Sequence, residues 1–276
     1  MYNYQTIVKE IPENFLENDS IFHYTKMETG LKILHSMKLW MSPRKKSKDP
    51  IEKVNDNPIQ TWWSGSEKGL SEKIKNRTKI QSERIINNLN KKLNNSNQVC
   101  FCCNSIEQDN QFGFLKPRMW NQYGDDFTGV CLVFSKSNIL EYNNTHFHSM
   151  VNYIDFEDME YLKLHIDRNK LDSDIDKKYE RELNSQINEK LISKHKDYVG
   201  ENEYRICSFS EEDIDELDIS GSLIGVVVSN PQDQKKTDID MIFEICNSYK
   251  LGLVFINWKS NGFTLFNKTG FTLKTN

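Results

Sequence analysis

The spacing of apolar and polar positions divides the chain into short strands and amphipathic helices. Strand-like runs, rich in β-branched and aromatic residues, occur at 20–25, 99–103, 130–134, 223–229 and 252–256. Apolar residues recur three and four positions apart, the spacing of one helical face, at 26–38, 119–123 and 238–249. Strands and helices follow each other without a repeat or a linker. This order predicts a single α+β domain over residues 1–276.

Two polar segments interrupt this pattern. Residues 66–95 are rich in Lys, Asn and Glu, with isolated Leu and Ile four positions apart, and we expect a helical insertion over 64–97. A second helical segment, predicted at 156–197 as two amphipathic helices, is expected to pack on the core. These polar helical insertions explain a hydrophobic content of only 37%, while an aromatic content of 11% indicates a folded chain.

Charge and cysteine content limit the binding partners, metal sites and cellular locations that the sequence allows. A net charge of −4 argues against a broad nucleic-acid surface, although the basic loop at 44–48 is either solvated or suited to phosphate. The six cysteines match no zinc spacing, so we predict reduced thiols and no metal. The sequence has neither a secretory signal pattern nor an apolar run long enough for a bilayer. We therefore expect a cytoplasmic protein without membrane contact.

The stretch 199–209 contains the most informative charges. If it is a strand, Glu201, Glu203 and Arg205 share one face, because side chains two positions apart point the same way. Tyr204 and Ile206 then pack on the other face. The charged face is either a solvated outer surface or a carboxylate pair in a cleft, oriented by Arg205.

Two further groups of residues gain meaning only in combination. His23 and Thr25 share one face of the first predicted strand, and Trp120 and Tyr123 lie three positions apart on a predicted helix. Alone, a single histidine or an aromatic pair at helical spacing is most often part of a core.

Three segments in order resemble a widespread bacterial family of unknown function. They are Phe-His-Tyr-Thr at 22–25, Met-Trp-Asn-Gln-Tyr-Gly-Asp-Asp-Phe-Thr-Gly at 119–129 and Glu-Asn-Glu-Tyr-Arg-Ile at 201–206. The family pattern is an HYT strand, an Asn-Asp-Pro-x-Glu loop, a cysteine-containing strand, an MWxxY helix and a WxxExEYR strand. The resemblance extends from about Phe22 to about Leu265. The sequence departs from the pattern at Lys48, in place of Asn, and at Tyr198, in place of Trp.

The family is in turn distantly similar to ADP-ribosyltransferases. This second resemblance implies a mixed β core of two packed small sheets flanked by helices, with NAD+ as substrate and no permanently bound cofactor. In those enzymes a first strand carries His-x-Thr, a middle element supplies an aromatic, and a late strand supplies Glu-x-Glu. Here the matching residues are His23 and Thr25, then Glu201 and Glu203, while the aromatic is one of Tyr24, Trp120 or Tyr123.

The resemblance also implies roles for these residues. Glu203 would bind the ribose 2-hydroxyl while positive charge develops in an oxocarbenium-like transition state. Glu201 would orient or deprotonate the acceptor, and Arg205 would hold the pair or meet pyrophosphate. His23 and Thr25 would hold a ribose by hydrogen bonds, and the aromatic would stack on nicotinamide.

The resulting hypothesis is an NAD+-dependent ADP-ribosyltransferase in a toxin-like or anti-phage setting. Its acceptor would be a protein or a nucleic acid, and a regulatory partner protein is possible. The alternatives are an NAD+ glycohydrolase, and a non-catalytic module that binds a nucleotide or a partner through the polar helices. A metal hydrolase built from Asp49, Glu52, Glu201 and Glu203 has no supporting ligand spacing. The absence of Gly-x-Gly-x-x-Gly argues against a Rossmann dinucleotide site.

Overall fold

A computed structural model describes residues 11–47, 59–64, 72–105, 111–155, 157, 162–167, 175–209 and 215–267. The helices are α1 Met27–Ser36, α2 Glu72–Asn94, α3 Pro117–Gln122, α4 Lys136–Tyr142, α5 Ile175–Ile192 and α6 Lys236–Ser248. The strands are β1 Ser20–Thr25, β2 Lys38–Pro43, β3 Ile59–Ser64, β4 Asn97–Cys103, β5 Val130–Ser135, β6 Phe147–Met150, β7 Asn152–Ile154, β8 Leu162–Asp167, β9 Ser193–His195, β10 Glu203–Ser208, β11 Asp215–Asp218, β12 Leu223–Ser229, β13 Gly252–Lys259 and β14 Gly262–Asn267. None of the helices in these ranges is both long and apolar enough to cross a membrane.

Ten of these strands form one large sheet. Its main order is β11-β2-β4-β1-β5-β12-β13-β14, and β10 pairs with both β4 and β6. All its pairings are antiparallel except β12 with β13. Two small parallel sheets, β3-β8 and β7-β9, complete the β structure of the described residues. The α+β prediction is confirmed, but one large sheet takes the place of the two packed small sheets that the resemblance implied.

The large sheet has an apolar cluster on each face. On the first, which we call the helical face, Ile21, Phe101 and Leu132 pack with residues of α1, α4 and α6. On the second, the aromatic face, Phe22 and Tyr24 pack with a group that includes Trp120 and Cys131. Alternate residues of each strand supply the two clusters, because successive side chains of a strand point to opposite faces.

Strand β4 is the point at which the sheet divides. One of its edges pairs with β10 from Asn97 to Cys102. The other edge pairs with β2 at Asn97 and Gln98, and with β1 at Cys102 and Cys103. Between these two contacts the carbonyl oxygen of Cys100 accepts a hydrogen bond from His23 Nδ1 at 3.0 Å. The histidine thus satisfies a backbone acceptor where the neighbouring strands diverge.

One secondary-structure prediction is wrong. The first helix expected in 156–197 is instead β8, Leu162–Asp167, which pairs in parallel with β3. Its sequence, Leu-Lys-Leu-His-Ile-Asp, alternates with the period of a strand. The strand predicted within 199–209 is found as β10, but Glu201 is not part of it, because Lys196–Glu201 is a 3₁₀ helix and Asn202 is left-handed, with φ 46°. The polar helices are found as α2, within 64–97, and as α5.

Candidate functional site

The charges of 201–205 are buried on the aromatic face. Glu203 pairs with Cys102, and Arg205 with Cys100, while Tyr204 and Ile206 pack in the cluster on the helical face, as predicted. Glu203 is 3% exposed and Arg205 is fully buried. The interpretation as a solvated outer face is therefore wrong, and charges at this depth require partners.

Glu203 is held as an anion. Its Oε1 accepts a hydrogen bond from Arg205 Nε at 2.6 Å, and its Oε2 accepts from Arg205 Nη2 at 3.2 Å and Lys194 Nζ at 3.0 Å. Burial acts to raise the pKa of Glu203, but the charge and hydrogen bonds of Arg205, together with Lys194, outweigh it and hold the pKa at about 2. Both oxygens of this carboxylate are occupied by protein donors.

Glu201 differs from its neighbour. Its Oε2 accepts a hydrogen bond from Lys194 Nζ at 2.6 Å, whereas its Oε1, although the side chain is buried, has no hydrogen-bond partner among the residues that the structure describes. The Nη2 atom of Arg118 lies 3.8 Å from that oxygen. Burial raises the pKa of Glu201, and the attraction of Lys194 offsets this only in part. The pair therefore combines one carboxylate whose pKa is lowered with one whose pKa is raised.

Backbone contacts fix the position of Glu201. The left-handed Asn202 ends the 3₁₀ helix, and its Nδ2 donates to the carbonyl oxygens of Cys103 and Asn104. Lys116 Nζ donates to the carbonyl oxygens of Gly200 and Glu201, both at 2.9 Å. Because the turn is tied to β4 and to the residue preceding α3, the Glu201 side chain starts from a fixed backbone.

Lys194, which sequence reasoning missed, joins the two carboxylates. It lies in β9, which pairs in parallel with β7, and it is 6% exposed. Its Nζ also lies 4.6 Å from the ring centroid of Tyr198, and the Arg118 guanidinium lies 5.1 Å from the same ring. In sequence this lysine is one of many at the end of a polar helix, and no local signal marks it.

Arg205 has a second contact that makes it part of the framework. Its Nη1 donates to the carbonyl oxygen of Leu191 at 2.8 Å, and Arg44 Nη2 donates to that of Lys190 at 3.2 Å. Both guanidinium groups thus satisfy carbonyls at the C-terminal end of α5, where a positive charge is favourable. Arg44 is also buried, so the basic loop at 44–48 is not simply solvated. Lys48, Asp49 and Glu52 lie outside the described residues.

The structure does not bring His23 and Thr25 to the carboxylates. His23 pairs with Leu132 and Thr25 with Val130, both members of the cluster on the helical face. Glu203 lies on the opposite face, since it pairs with Cys102. The expectation that His23 and Thr25 line one cleft with Glu203 is therefore wrong. The register of β1 places Tyr24, not its two neighbours, on the aromatic face where Glu203 lies.

The predicted aromatics divide into core and surface. Tyr24 OH donates to the Gly113 carbonyl at 2.6 Å, Trp120 Nε1 donates to the Phe114 carbonyl at 2.8 Å, and both rings are buried. Tyr123, by contrast, is 44% exposed. Partial burial and the charge of Glu201 raise its pKa, which places its phenol within the electrostatic reach of that carboxylate. Tyr123 is thus the predicted aromatic that combines proximity to Glu201 with an exposed surface.

A comparison with protein families gives one match. A model of the family described as protein of unknown function (DUF2971) matches residues 119–206. This range contains Tyr123, Lys194, Glu201, Glu203 and Arg205, but not β1. It supports the predicted resemblance to a domain of unknown function. No curated protein and no solved structure matches the chain.

Metal binding has no support in the described ranges. No group of three or more His, Cys, Asp or Glu side chains in them is arranged to hold a metal ion. Glu201 and Glu203 are bridged by an ammonium group, which occupies the position between the carboxylates where a cation would bind.

Proposed function

We propose that the protein is an NAD+-dependent ADP-ribosyltransferase in which Glu201, rather than Glu203, is the carboxylate that meets the substrate. The observation that carries this proposal is the buried Oε1 of Glu201, which has no hydrogen-bond partner in the described part of the chain, beside the Glu203 carboxylate, whose two oxygens both accept hydrogen bonds. A buried acceptor without a donor is destabilising by about 1–3 kcal/mol, so a ligand hydroxyl placed there would relieve that penalty.

The chemistry requires little of the protein beyond a well-placed negative charge. Cleavage of the nicotinamide–ribose bond builds positive charge on the ribose, and a carboxylate that accepts a hydrogen bond from the ribose 2-hydroxyl is strengthened as this charge grows. Lys194 holds Oε2 of Glu201 and leaves Oε1 for the sugar. Glu203 stays an anion and, through Lys194, fixes the geometry of its neighbour.

Substrate access depends on Arg118. Its guanidinium lies 3.8 Å from Oε1 of Glu201 and its side chain is 45% exposed, so a change of rotamer opens the carboxylate to a ligand. The displaced guanidinium could then pair with a phosphate of NAD+. Tyr123 and Tyr198, both only partly buried, are the candidates for stacking on nicotinamide. Tyr24 and Trp120 would support this site from the core. Arg205 would support it through its hydrogen bonds to Glu203 and to the Leu191 carbonyl.

The remaining parts of the proposal rest on the resemblance alone. They are the toxin-like or anti-phage setting, the macromolecular acceptor and a regulatory partner protein. Transfer to water instead of a macromolecule would make the protein an NAD+ glycohydrolase.

A second candidate function is a non-catalytic module that binds a nucleotide or a partner. The complete pairing of Glu203 and the core positions of Tyr24 and Trp120 favour it, because residues matched by the resemblance have structural contacts of their own. In that case the ion cluster would stabilise the fold without taking part in a reaction.

Nicotinamide release from NAD+ distinguishes the two candidates. We expect wild-type protein to release nicotinamide and Glu201→Gln to lose about 10²–10³-fold in rate, as when a group that stabilises transition-state charge is removed. Glu141→Gln removes the same negative charge at an exposed position of α4 and is the matched control. Circular dichroism and thermal melting confirm that the variants are folded.

Two results would contradict the proposal. Full nicotinamide release by folded Glu201→Gln would remove Glu201 from the reaction. If folded wild type released no nicotinamide, with or without lysate as a source of acceptor, but bound NAD+ in a calorimeter, the binding module would be the better description.

A further inference from the structure

Tyr153 contributes a phenol group to the carboxylate site. It lies in β7, where it is paired with Lys194 of β9, the lysine that bridges Glu201 and Glu203. Its hydroxyl oxygen accepts a hydrogen bond from the backbone N–H of Glu203 at 2.9 Å. Sequence reasoning missed this tyrosine, because it stands in a short strand without a recognisable motif around it.

A second contact with Glu203 fixes the backbone next to Tyr153. The N–H of Val151 donates to the Glu203 carbonyl oxygen at 2.9 Å, so both backbone groups of Glu203 contact the segment that contains Tyr153. Before this point the chain pairs with β10 as β6, and after it the chain turns to pair with β9 as β7. The phenol is therefore held in a fixed position relative to the carboxylates, as a ligand-binding group requires.

The contact with Glu203 uses the Tyr153 oxygen as an acceptor and leaves the phenol hydrogen available. A tyrosine hydroxyl can accept and donate at the same time. A backbone N–H can only donate, so the phenol hydrogen points to another group, and no acceptor for it is found among the residues that the structure describes. Burial raises the pKa of Tyr153, and the charges of Glu203 and Glu201 raise it further, so the phenol keeps this hydrogen at neutral pH. Since the side chain is only partly buried, a ligand can reach it.

Glu201 presents the complementary group. Its buried Oε1 is an acceptor that has no donor in the described part of the chain. The charge of Glu201 contributes to the raised pKa of Tyr153, so the two side chains lie within electrostatic reach of each other. The site thus offers one acceptor and one donor to the same ligand.

This combination restricts the chemistry of the ligand. An ammonium or guanidinium group would donate to Glu201, but it has no acceptor for the Tyr153 hydrogen. Lys194 and Arg118 also place positive charge around the Glu201 carboxylate already. A phosphate group would accept from Tyr153, but its negative charge would be repelled by Glu201. A diol, by contrast, donates through one hydroxyl and accepts through its neighbour.

We propose that Glu201 and Tyr153 together recognise the vicinal diol of a ribose. Oε1 of Glu201 accepts a hydrogen bond from the 2-hydroxyl, and the Tyr153 hydroxyl donates one to the 3-hydroxyl. The choice of the nicotinamide ribose of NAD+ rests on the proposed function, whereas recognition of a diol does not require that any bond is cleaved. Tyr153 then determines specificity for the sugar and leaves the stabilisation of positive charge to Glu201.

Two proteins and two ligands form a cycle that tests this contact by isothermal titration calorimetry. The first ligand is an NAD+ analogue whose nicotinamide ribose has a methylene group in place of the ring oxygen, so that it keeps both hydroxyls but resists cleavage. The second ligand is the same analogue without the 3-hydroxyl. Wild type should bind the first about two- to tenfold more tightly than the second, the effect of one net hydrogen bond. Tyr153→Phe should bind the two with equal affinity.

The cycle separates recognition of the sugar from support of the fold. Tyr153→Phe also removes the acceptor of the Glu203 N–H, and a purely structural loss would weaken both ligands by the same factor and preserve the preference between them. Tyr249→Phe removes a phenol hydroxyl from a side chain that is 57% exposed, just after α6. It is the matched control and should keep the wild-type preference.

Three results would overturn the proposal. They are equal binding of the two ligands by wild type, an undiminished preference in folded Tyr153→Phe, and no binding of either ligand to folded wild type. Nicotinamide release from NAD+, measured on the same preparations, reports separately on the proposed function. Release without the preference would remove the diol contact and keep the transferase, and the preference without release would do the reverse.

Discussion

The contact between Arg205 and Glu203 predicts a large and specific loss of stability. In Arg205→Met the unbranched methionine side chain fills part of the space of the buried guanidinium, but its hydrogen bonds are lost. They include two to the Glu203 carboxylate and one to the carbonyl of Leu191. The variant leaves Glu203 with Lys194 as the cation that contacts it, and it removes the guanidinium donor from the Leu191 carbonyl at the end of α5.

The expected cost follows from the burial of the pair. Removal of one partner of a buried ion pair is destabilising by about 3–5 kcal/mol, because the other charge stays in a poorly solvated place. The free energy of unfolding of a whole domain is only about 5–15 kcal/mol, so this variant would lose a large part of it. If Glu203 is also changed to Gln, the stranded charge is removed, and we expect about 1–3 kcal/mol to be recovered.

Urea unfolding followed by circular dichroism measures these differences at pH 7. The four proteins of the cycle are wild type, Arg205→Met, Glu203→Gln and the double variant. The control is Lys32→Met, which breaks the exposed ion pair with Glu28 and is expected to cost less than about 1 kcal/mol. If Arg205→Met cost less than about 1 kcal/mol, or if the double variant lost as much as the two single variants combined, the buried charge network inferred here would be refuted.

Three further predictions concern other parts of the fold. The lowered pKa of Glu203 stabilises the fold at pH values above 4.5, the ordinary pKa of a glutamate, and this stabilisation is lost as the pH falls towards about 2. The raised pKa of Glu201 has the opposite effect, since it destabilises the fold as the pH rises past 4.5. In urea unfolding, Glu203→Gln should therefore lower the free energy of unfolding more at pH 7 than at pH 3. From pH 3 to pH 7, Glu201→Gln should become more stable relative to wild type; the opposite trends would contradict the two assignments. His23→Phe should cost about 1–3 kcal/mol in thermal melts, because it removes the partly buried hydrogen bond from the imidazole to the Cys100 carbonyl, yet it should leave the rate of any nicotinamide release unchanged; a folded variant that lost the rate would return His23 to the site. Gly225→Ala should cost about 1–3 kcal/mol or more, because a Cβ atom there would lie 2.1 Å from the Phe15 ring and 2.8 Å from the Gly252 carbonyl, and a melt like that of wild type would contradict this packing.

The strands of the large sheet could largely be predicted from sequence. β1 and β12 have the predicted bounds, because each is a compact apolar run between polar or turn residues. β8 is a strand where the sequence analysis predicts a helix. Its residues alternate regularly, and this period of two is a stronger signal than the polar composition around it.

The composition of the candidate site could be predicted only in part. The sequence indicated that Glu201 and Glu203 belong together, and the structure joins them through Lys194. It could not indicate Lys194 itself, since a lysine that bridges two carboxylates has the same sequence context as one in solvent. Burial decides the difference, and burial here depends on the pairing of β9 with β7.

The position of His23 shows a different limit. The sequence places His23 and Thr25 on the same side of a strand, and this holds in the structure. Which face of the sheet that side becomes depends on the registers of β1 with β4 and of β4 with β10, and both are tertiary properties. A shift of one residue exchanges the faces, so a motif on a strand cannot by itself establish a shared cleft.

The central position of β4 has a consequence for the way the protein is made. β4 joins partners from early and late parts of the chain: β1, β2 and, far downstream, β10, with Cys100 opposite Arg205. During synthesis the edge of β4 that receives β10 stays unpaired until that late strand leaves the ribosome, and open strand edges promote association between chains. Such long-range pairing also slows folding. A chain truncated before Glu203 is thus expected to aggregate, which links completion of the carboxylate pair to completion of the fold itself.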